Sequence, residues 1–194
     1  MREKQKPTES NQKWDVIDQI VAKELEMFLQ VRATDDGSGK ACQQEPNMFK
    51  AMRWMSHSVL SLKTLESYLS DLKSAAAHNR NLMTEKYALM DNLIPHPTLG
   101  QDLILEIAAK EVQWMQEVQG KYPGLIQGKT AEFTNYLVCE YETYSFETLT
   151  LLLEDIHRAE MKELNLPELR YRNLFKRLGY SSIEEAQKHN STQQ

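Results

Sequence analysis

Two glutamates occupy matching places on the apolar faces of two predicted helices, and their position suits them to chemistry. On a helical wheel Glu24 falls between Phe28 and Val31, and Glu111 takes the same place in its own apolar stripe. A buried ionised carboxylate must be paired, hydrogen-bonded, bound to a cation or protonated, because isolated burial costs several kcal/mol. The sequence therefore predicts a polar partner for each glutamate.

The next predicted helix, at about residues 48–58, supplies candidate partners. One face of this helix carries Arg53, with His57 at the edge of the face, and the matching face of a later helix carries Glu140 and Tyr141. An arginine and a histidine from one helix would thus meet a third carboxylate from the other. We predict one shared polar pocket with the site residues Glu24, Arg53, His57, Glu111, Glu140 and Tyr141.

Three uses of this pocket stay open at the level of sequence. In the first, Glu24 and Arg53 form a structural ion pair, and a tyrosine or a lysine holds Glu111. In the second, Arg53 binds an anionic ligand while the carboxylates orient its polar groups. In the third, the glutamates and His57 hold a metal ion or share a proton. Di-metal helical bundles usually carry Glu-x-x-His pairs, which the relevant helices lack, so no metal ligand and no cofactor is assigned.

An internal repeat determines which elements position these residues. Residues 17–31 align without a gap on residues 104–118 and are identical at six of the fifteen positions, whereas unrelated segments would agree at about one in fifteen. A second aligned block pairs Ser61 with Ser145, Thr64 with Thr148, Asp71 with Asp155, Asn81 with Asn165 and Tyr87 with Tyr171. Two copies of one helical unit explain both blocks.

The apolar period is helical along the chain, and no alternating β-branched run favours a strand. We predict an all-α fold of two pseudo-symmetric four-helix repeats, packed as one bundle with a short C-terminal helix. The repeats span about residues 11–93 and 101–179, joined by a linker at 94–100 and followed by the C-terminal helix and tail at 180–194, within a single domain of residues 1–194. Asn81 and Asn165 are predicted helix caps, Thr98 and Gln101 a capping box, and residues from 189 a loose tail.

Composition and charge narrow the class of function. The net charge of −5 argues against nucleic-acid and anionic-membrane partners, and no apolar run is long enough to span a bilayer. The most basic stretch, residues 158–177, is interrupted by glutamates and predicts a solvated helix face. Without a signal-peptide pattern we expect a cytoplasmic protein, in which Cys42 and Cys139 are free thiols without metal-type spacing.

The sequence therefore favours a binding or interaction module, with a buried polar pocket between its repeats, for an unknown small molecule or protein partner. The alternative is an enzyme that uses the paired glutamates for acid–base chemistry or metal binding.

Several short motifs, in a fixed order over both repeats, resemble a prokaryotic family called domain of unknown function 4125. They are Ala22 to Glu24, Lys40 to Gln43, Phe49 to Arg53, Thr64 to Leu69, Arg80 to Leu82, Glu85 to Ala88 and Tyr144 to Leu149. The resemblance covers about Trp14 to Ala186 and implies a helical protein, with no family activity, cofactor or catalytic residue to carry over. In that family a glutamine often stands where His57 does, so the resemblance argues against His57 as an indispensable general base.

Overall fold

The computed structural model describes residues 9–31 and 45–191. These residues contain nine helices and no strand. The helices are α1 (Glu9–Leu29), α2 (Pro46–His57), α3 (Leu62–Ala77), α4 (Leu82–Met90), α5 (Gln101–Lys121), α6 (Thr130–Tyr141), α7 (Phe146–Met161), α8 (Leu166–Arg177) and α9 (Ile183–Ser191). The predicted all-α fold class is confirmed. Cys42 and the Lys40 to Gln43 motif lie outside the described residues.

Side-chain caps explain where four of the helices begin. The hydroxyls of Ser61 and Ser145 accept the backbone N–H of the residue three positions later, at the start of α3 and α7. Asn81 and Asn165 do the same for α4 and α8, as predicted. Each asparagine also donates its side-chain N–H to a backbone carbonyl of the long helix of its own half, Met27 O at 2.8 Å and Trp114 O at 3.0 Å. The caps therefore also hold α4 and α8 against α1 and α5.

Two local predictions are wrong. The capping box of Thr98 and Gln101 does not form, because Gly100 is the residue before α5 and adopts a left-handed φ of 78°, while Gln101 Nε2 donates to Pro97 O at 2.6 Å. The segment expected to be loose from residue 189 is still helical at residues 189–191, where α9 continues to Ser191.

The two halves of the chain pack their helices by the same scheme. Helix α1 contacts α2, α3 and α4, and α5 contacts α6, α7 and α8. Between the halves, α3 packs on α7, α2 on α8 and α4 on α6. A two-fold relation between the halves would produce these pairs, and that relation itself stays a prediction. One core cluster draws its fully buried side chains from both halves, among them Ile17, Ile20, Leu65, Leu72, Ile104, Ile107, Leu149, Leu152 and Ile156.

Exchanged hydrogen bonds join α3 and α7 where they cross. Asp155 accepts the backbone N–H of Ser61 at 2.8 Å and the hydroxyl of Thr64 at 2.7 Å. Asp71 accepts the corresponding groups from the other half, Ser145 N at 3.0 Å and Thr148 Oγ1 at 2.6 Å. Each aspartate thus completes the N-terminal cap of the other helix, where a carboxylate is also favoured by the helix dipole. This exchange explains why both aspartates belong to the repeated sequence block.

None of the helices in the described ranges combines the length and the apolarity of a segment that crosses a bilayer.

We expect Asp71→Ala and Asp155→Ala to lower the free energy of unfolding by similar amounts, about 1–3 kcal/mol each, because each leaves an N–H and a hydroxyl at the helix crossing without their acceptor. Urea unfolding measures this cost. Asp18→Ala, on the exposed face of α1, is the matched control and should change stability by less than about 0.5 kcal/mol. A cost at Asp71 or Asp155 no larger than that of the control would contradict the exchange.

Candidate functional site

Glu24 on α1 and Glu111 on α5 are both fully buried, at 0% exposure, as the apolar stripes of their helices predict. Helix geometry places them there because each shares a face with the isoleucines that enter the core. Both carboxylates have a cationic partner, but the two partners come from different elements of the fold.

Arg53 on α2 lies between two carboxylates. Its Nε and Nη2 donate to the two oxygens of Glu24 at 2.9 and 2.6 Å, and its Nη1 and Nη2 donate to the two oxygens of Glu140 at 3.1 and 2.9 Å. The remaining Nη1 hydrogen is accepted by the hydroxyl of Tyr136 at 3.2 Å. All five N–H groups of the guanidinium therefore have an acceptor within the protein.

Further side chains complete the shell around the two carboxylates. His57 Nε2 lies 3.1 Å from Glu24 Oε1, and Tyr68 donates its hydroxyl to the same oxygen at 2.9 Å. Tyr144 donates to Glu140 at 3.2 Å, and Lys86 Nζ donates to Glu140 at 2.5 Å. The Lys86 ammonium also lies 3.2 Å from the centre of the Tyr136 ring, a cation–π contact in a buried setting.

Arg170 on α8 is the partner of Glu111, rather than the tyrosine or lysine expected from the sequence. Its Nη1 and Nη2 donate to the two carboxylate oxygens at 2.5 and 2.7 Å, and its side chain is only 11% exposed. The solvated face predicted for residues 158–177 is therefore wrong at Arg170, which points into the protein from a helix that also buries Leu166 and Leu174. Tyr141 is buried as well, and its pKa is raised by burial and then by the charge of Glu111.

The pKa shifts follow from these contacts. Burial alone would raise the pKa of Glu24, but Arg53 and His57 outweigh it and lower the pKa to about 2. Burial likewise acts to raise the pKa of Glu140, which Arg53 and Lys86 hold well below its usual range. Burial lowers the pKa of Lys86, and Glu140 opposes that shift. Both glutamates are therefore ionised at neutral pH, unlike a general base whose pKa lies near 7.

The buried charges balance. Three carboxylates, Glu24, Glu111 and Glu140, face three cations, Arg53, Lys86 and Arg170, and every one of the six takes part in at least one ion pair. These six charges sum to zero. A further buried charge would therefore lack a counter-ion here.

Two cavities adjoin this cluster. A small cavity of about 40 Å³ is lined by Ser56, His57, Leu60, Glu140, Tyr141, Tyr144, Leu152 and Arg170. A larger groove of about 260 Å³ lies between α2, α5, α6 and α8 and is lined mainly by methionine, aromatic and other apolar side chains, with Arg53 and Arg170 in its wall. Ser56 and Arg170 belong to both linings, so the groove and the small cavity are neighbours.

Two buried polar atoms of the described residues lack a hydrogen-bond partner, His57 Nδ1 and Arg170 Nε, and both side chains line the small cavity. The repeat accounts for Arg170. Lys86 and Arg170 each precede the repeated tyrosine, and Lys86 bonds Glu140. The position that matches Glu140 in the first repeat is Ser56, so Arg170 has no carboxylate there and pairs with Glu111 instead.

The structure brings four of the six predicted site residues into one cluster, namely Glu24, Arg53, His57 and Glu140. Glu111 forms its own pair with Arg170, and Tyr141 lines the small cavity that Arg170 shares with His57. Sequence reasoning missed Lys86, Tyr68 and Arg170. A signal for two of them was present in the sequence. Lys86 and Arg170 each stand directly before a tyrosine of the repeated block, Tyr87 and Tyr171.

Comparison with protein families identifies the group to which this chain belongs. The model of the family described as Protein of unknown function (DUF4125) matches residues 14–188. The chain belongs to the DUF4125 family. No curated protein and no solved structure matches it. The family therefore agrees with the resemblance seen in the sequence and assigns no activity to the buried cluster.

We expect Glu24→Gln and Arg53→Met each to lower the free energy of unfolding by about 3 kcal/mol or more, because each breaks the bidentate pair and leaves the buried cluster with one unbalanced charge. The double variant removes one charge of each sign and restores the balance, so it should cost less than the sum of the two single variants. Urea unfolding of the four proteins gives the coupling energy. Costs that simply add would contradict a shared ion pair.

We also expect acid to destabilise the protein through Glu24. A carboxyl group whose pKa is lower in the folded state, about 2 against 4.5, stabilises the fold above its ordinary pKa and loses that contribution as pH falls toward the folded value. The free energy of unfolding should therefore fall between about pH 5 and pH 2. Glu24→Gln should show a shallower fall over this range, whereas Glu85→Gln, in the more exposed pair with Arg80, should keep the wild-type slope. Equal slopes for all three proteins would refute this account.

Proposed function

We propose that this protein binds a small neutral molecule, with an apolar body and a hydroxyl or amide end, in the groove between α2, α5, α6 and α8. The observation that carries the proposal is the pair of unpartnered buried atoms, His57 Nδ1 and Arg170 Nε, in a small polar cavity beside an apolar groove. Pockets for small ligands commonly combine apolar walls with a few fixed polar groups.

The size and lining of the groove support the apolar part of the ligand. Its volume of about 260 Å³ is near the lower limit of about 300 Å³ typical for ligand pockets. The lining includes methionine side chains from two helices, Met52, Met55 and Met115, together with the rings of Phe133 and Tyr171. Flexible thioethers and aromatic rings adapt to apolar groups of different shape.

The charge balance supports a neutral ligand. Every N–H of Arg53 already has an acceptor, and Glu111 takes both Nη groups of Arg170, so an anion that binds these groups would have to displace a carboxylate. The anion-binding use of Arg53 considered from the sequence is therefore disfavoured. The site offers one N–H donor, Arg170 Nε. It also offers one acceptor, His57 Nδ1, when Nε2 of the same ring donates its N–H to Glu24. A hydroxyl or an amide group matches this pair because it both accepts and donates.

Two other uses of the molecule are less well supported. The lowered pKa values of Glu24 and Glu140 do not suit them to acid–base catalysis near neutral pH. A wider cavity of about 360 Å³ is lined by Lys13, Asp155, Arg158 and Lys162 among others. Its wall includes neither of the unpartnered atoms identified in the described residues.

The proposal includes three broader expectations. The ligand is a small molecule rather than a nucleic acid, in keeping with the net charge of −5. Residues 1–194 act as one domain formed from two repeats, which the common core cluster and the matching helix contacts support. The protein works in the cytoplasm, a reducing compartment in which a buried free thiol such as that of Cys139 is ordinary.

A matched pair of probes tests the proposal, N-acetyl-phenylalaninamide and its free acid N-acetyl-phenylalanine. We expect the neutral amide to bind more tightly than the acid, as measured by calorimetry, because the acid adds an unbalanced charge. Met52→Trp at the rim should fill the groove and abolish binding. Met48→Trp, the same change on the same helix outside the groove lining, should leave binding intact.

Arg170→Lys keeps a cation for Glu111 and removes the unpaired Nε–H. We expect it to weaken binding of the amide about tenfold, which corresponds to one hydrogen bond. Tighter binding of the acid, or equal binding by Met52→Trp and the wild type, would overturn the proposal.

A further inference from the structure

Three side chains of different chemistry meet at the linker between the two repeats. The imidazole of His96, the thiol of Cys139 and the carboxylate of Glu142 place one ligand atom each within 4.8 Å of the other two. His96 lies in the linker that joins α4 to α5, while Cys139 is in the last turn of α6 and Glu142 follows that helix. His96 is distant in sequence from the other two, and the three residues belong to neither the charged cluster nor the groove.

Local structure presents these groups toward one another. Cys139 and Glu142 are three residues apart at the end of α6, so their side chains project from the same helix face. His96 stands between Pro95 and Pro97, whose rings fix their own backbone φ angles and limit the freedom of the linker. Three groups held by rigid neighbours lose little conformational entropy when they bind a common ion.

The hydrogen bonds around the group resemble the outer contacts of metal ligands. His96 Nδ1 lies 2.7 Å from Glu142 Oε2, and Gln101 Nε2 donates to the other carboxylate oxygen at 2.8 Å. His96 Nε2 lies 3.4 Å from Asn92 Oδ1. An imidazole that binds a metal through one nitrogen usually donates the other N–H to an oxygen, which fixes the tautomer and the ring orientation.

We infer that His96, Cys139 and Glu142 bind a transition-metal ion of the Zn²⁺ type. A thiolate, an imidazole nitrogen and a carboxylate oxygen are the three donors that Zn²⁺ takes from proteins, whereas Ca²⁺ and Mg²⁺ select oxygen ligands alone. Three protein ligands leave the fourth tetrahedral position for water, the arrangement of an open zinc site.

Burial is compatible with loading of the site. Cys139 is fully buried and the Glu142 side chain is 2% exposed, but the His96 side chain is 41% exposed and can admit an ion by rotating outward. Burial, and after it the charge of Glu142, raises the pKa of the Cys139 thiol. When the metal binds, it replaces the proton of the Cys139 thiol, and that proton is released to solvent. The Glu142 carboxylate, which would repel a thiolate without a metal, is then attracted to the same cation.

Cobalt titration of the full chain tests this inference, because a Co²⁺–thiolate bond gives a near-ultraviolet charge-transfer band that carboxylate and imidazole ligands do not. We expect wild-type protein, stripped with a chelator and kept reduced, to develop the band to saturation at one Co²⁺ per chain. Zn²⁺ should then remove the band by competition, because tetrahedral sites with thiolate and imidazole ligands favour Zn²⁺. Equal amounts of Mg²⁺ should leave it unchanged.

The variants separate this site from any other thiol. Cys139→Ser should lose the band, while Cys42→Ser, the same change at the other cysteine, should retain it. His96→Ala should weaken Co²⁺ binding at least tenfold, and circular dichroism should show an unchanged helix content in both Cys139→Ser and His96→Ala. Absence of the band in the wild type, its persistence in Cys139→Ser, or its loss in Cys42→Ser would overturn the inference.

Discussion

A guanidinium held between two buried carboxylates constrains the arrangement of both halves of this molecule. Arg53 can satisfy all of its N–H groups only if α1 brings Glu24 to one side and α6 brings Glu140 to the other. An unpaired charge in this interior would cost several kcal/mol, so α1, α2 and α6 are held in one relative position. Lys86 extends the same constraint to α4, because it is the second cation on Glu140.

We interpret this cluster as a device for specificity more than for stability. Apolar residues of similar volume often stabilise a core as well as a buried ion pair does, since desolvation offsets much of the Coulomb attraction. Apolar helix faces also tolerate small rotations and shifts, whereas bidentate pairs such as Arg53 with Glu24 or Arg170 with Glu111 require one geometry. The ion pairs therefore select one packing of the helices among those that the apolar stripes allow.

The two aligned segments of the sequence differ at positions that line the small cavity. The position that carries Glu140 in the second repeat carries Ser56 in the first, and this difference leaves Arg170 with an N–H that has no acceptor. His57 likewise stands where the second repeat has Tyr141. The unsatisfied groups thus collect around one small cavity, next to the groove that the methionines line.

The sequence by itself determined the helical class, the caps at Asn81 and Asn165 and the burial of Glu24 and Glu111, because each depends on local periodicity or on contacts within a few residues. It also anticipated the pairing of Glu24 with Arg53, since a buried carboxylate needs a polar partner and Arg53 lies on the candidate face of the next helix. Only the tertiary structure decided that Arg170, within the basic stretch, pairs with Glu111, and that His96 meets Cys139 and Glu142. These contacts join residues far apart in the chain, and the direction in which a long or exposed side chain turns depends on partners that sequence spacing does not specify.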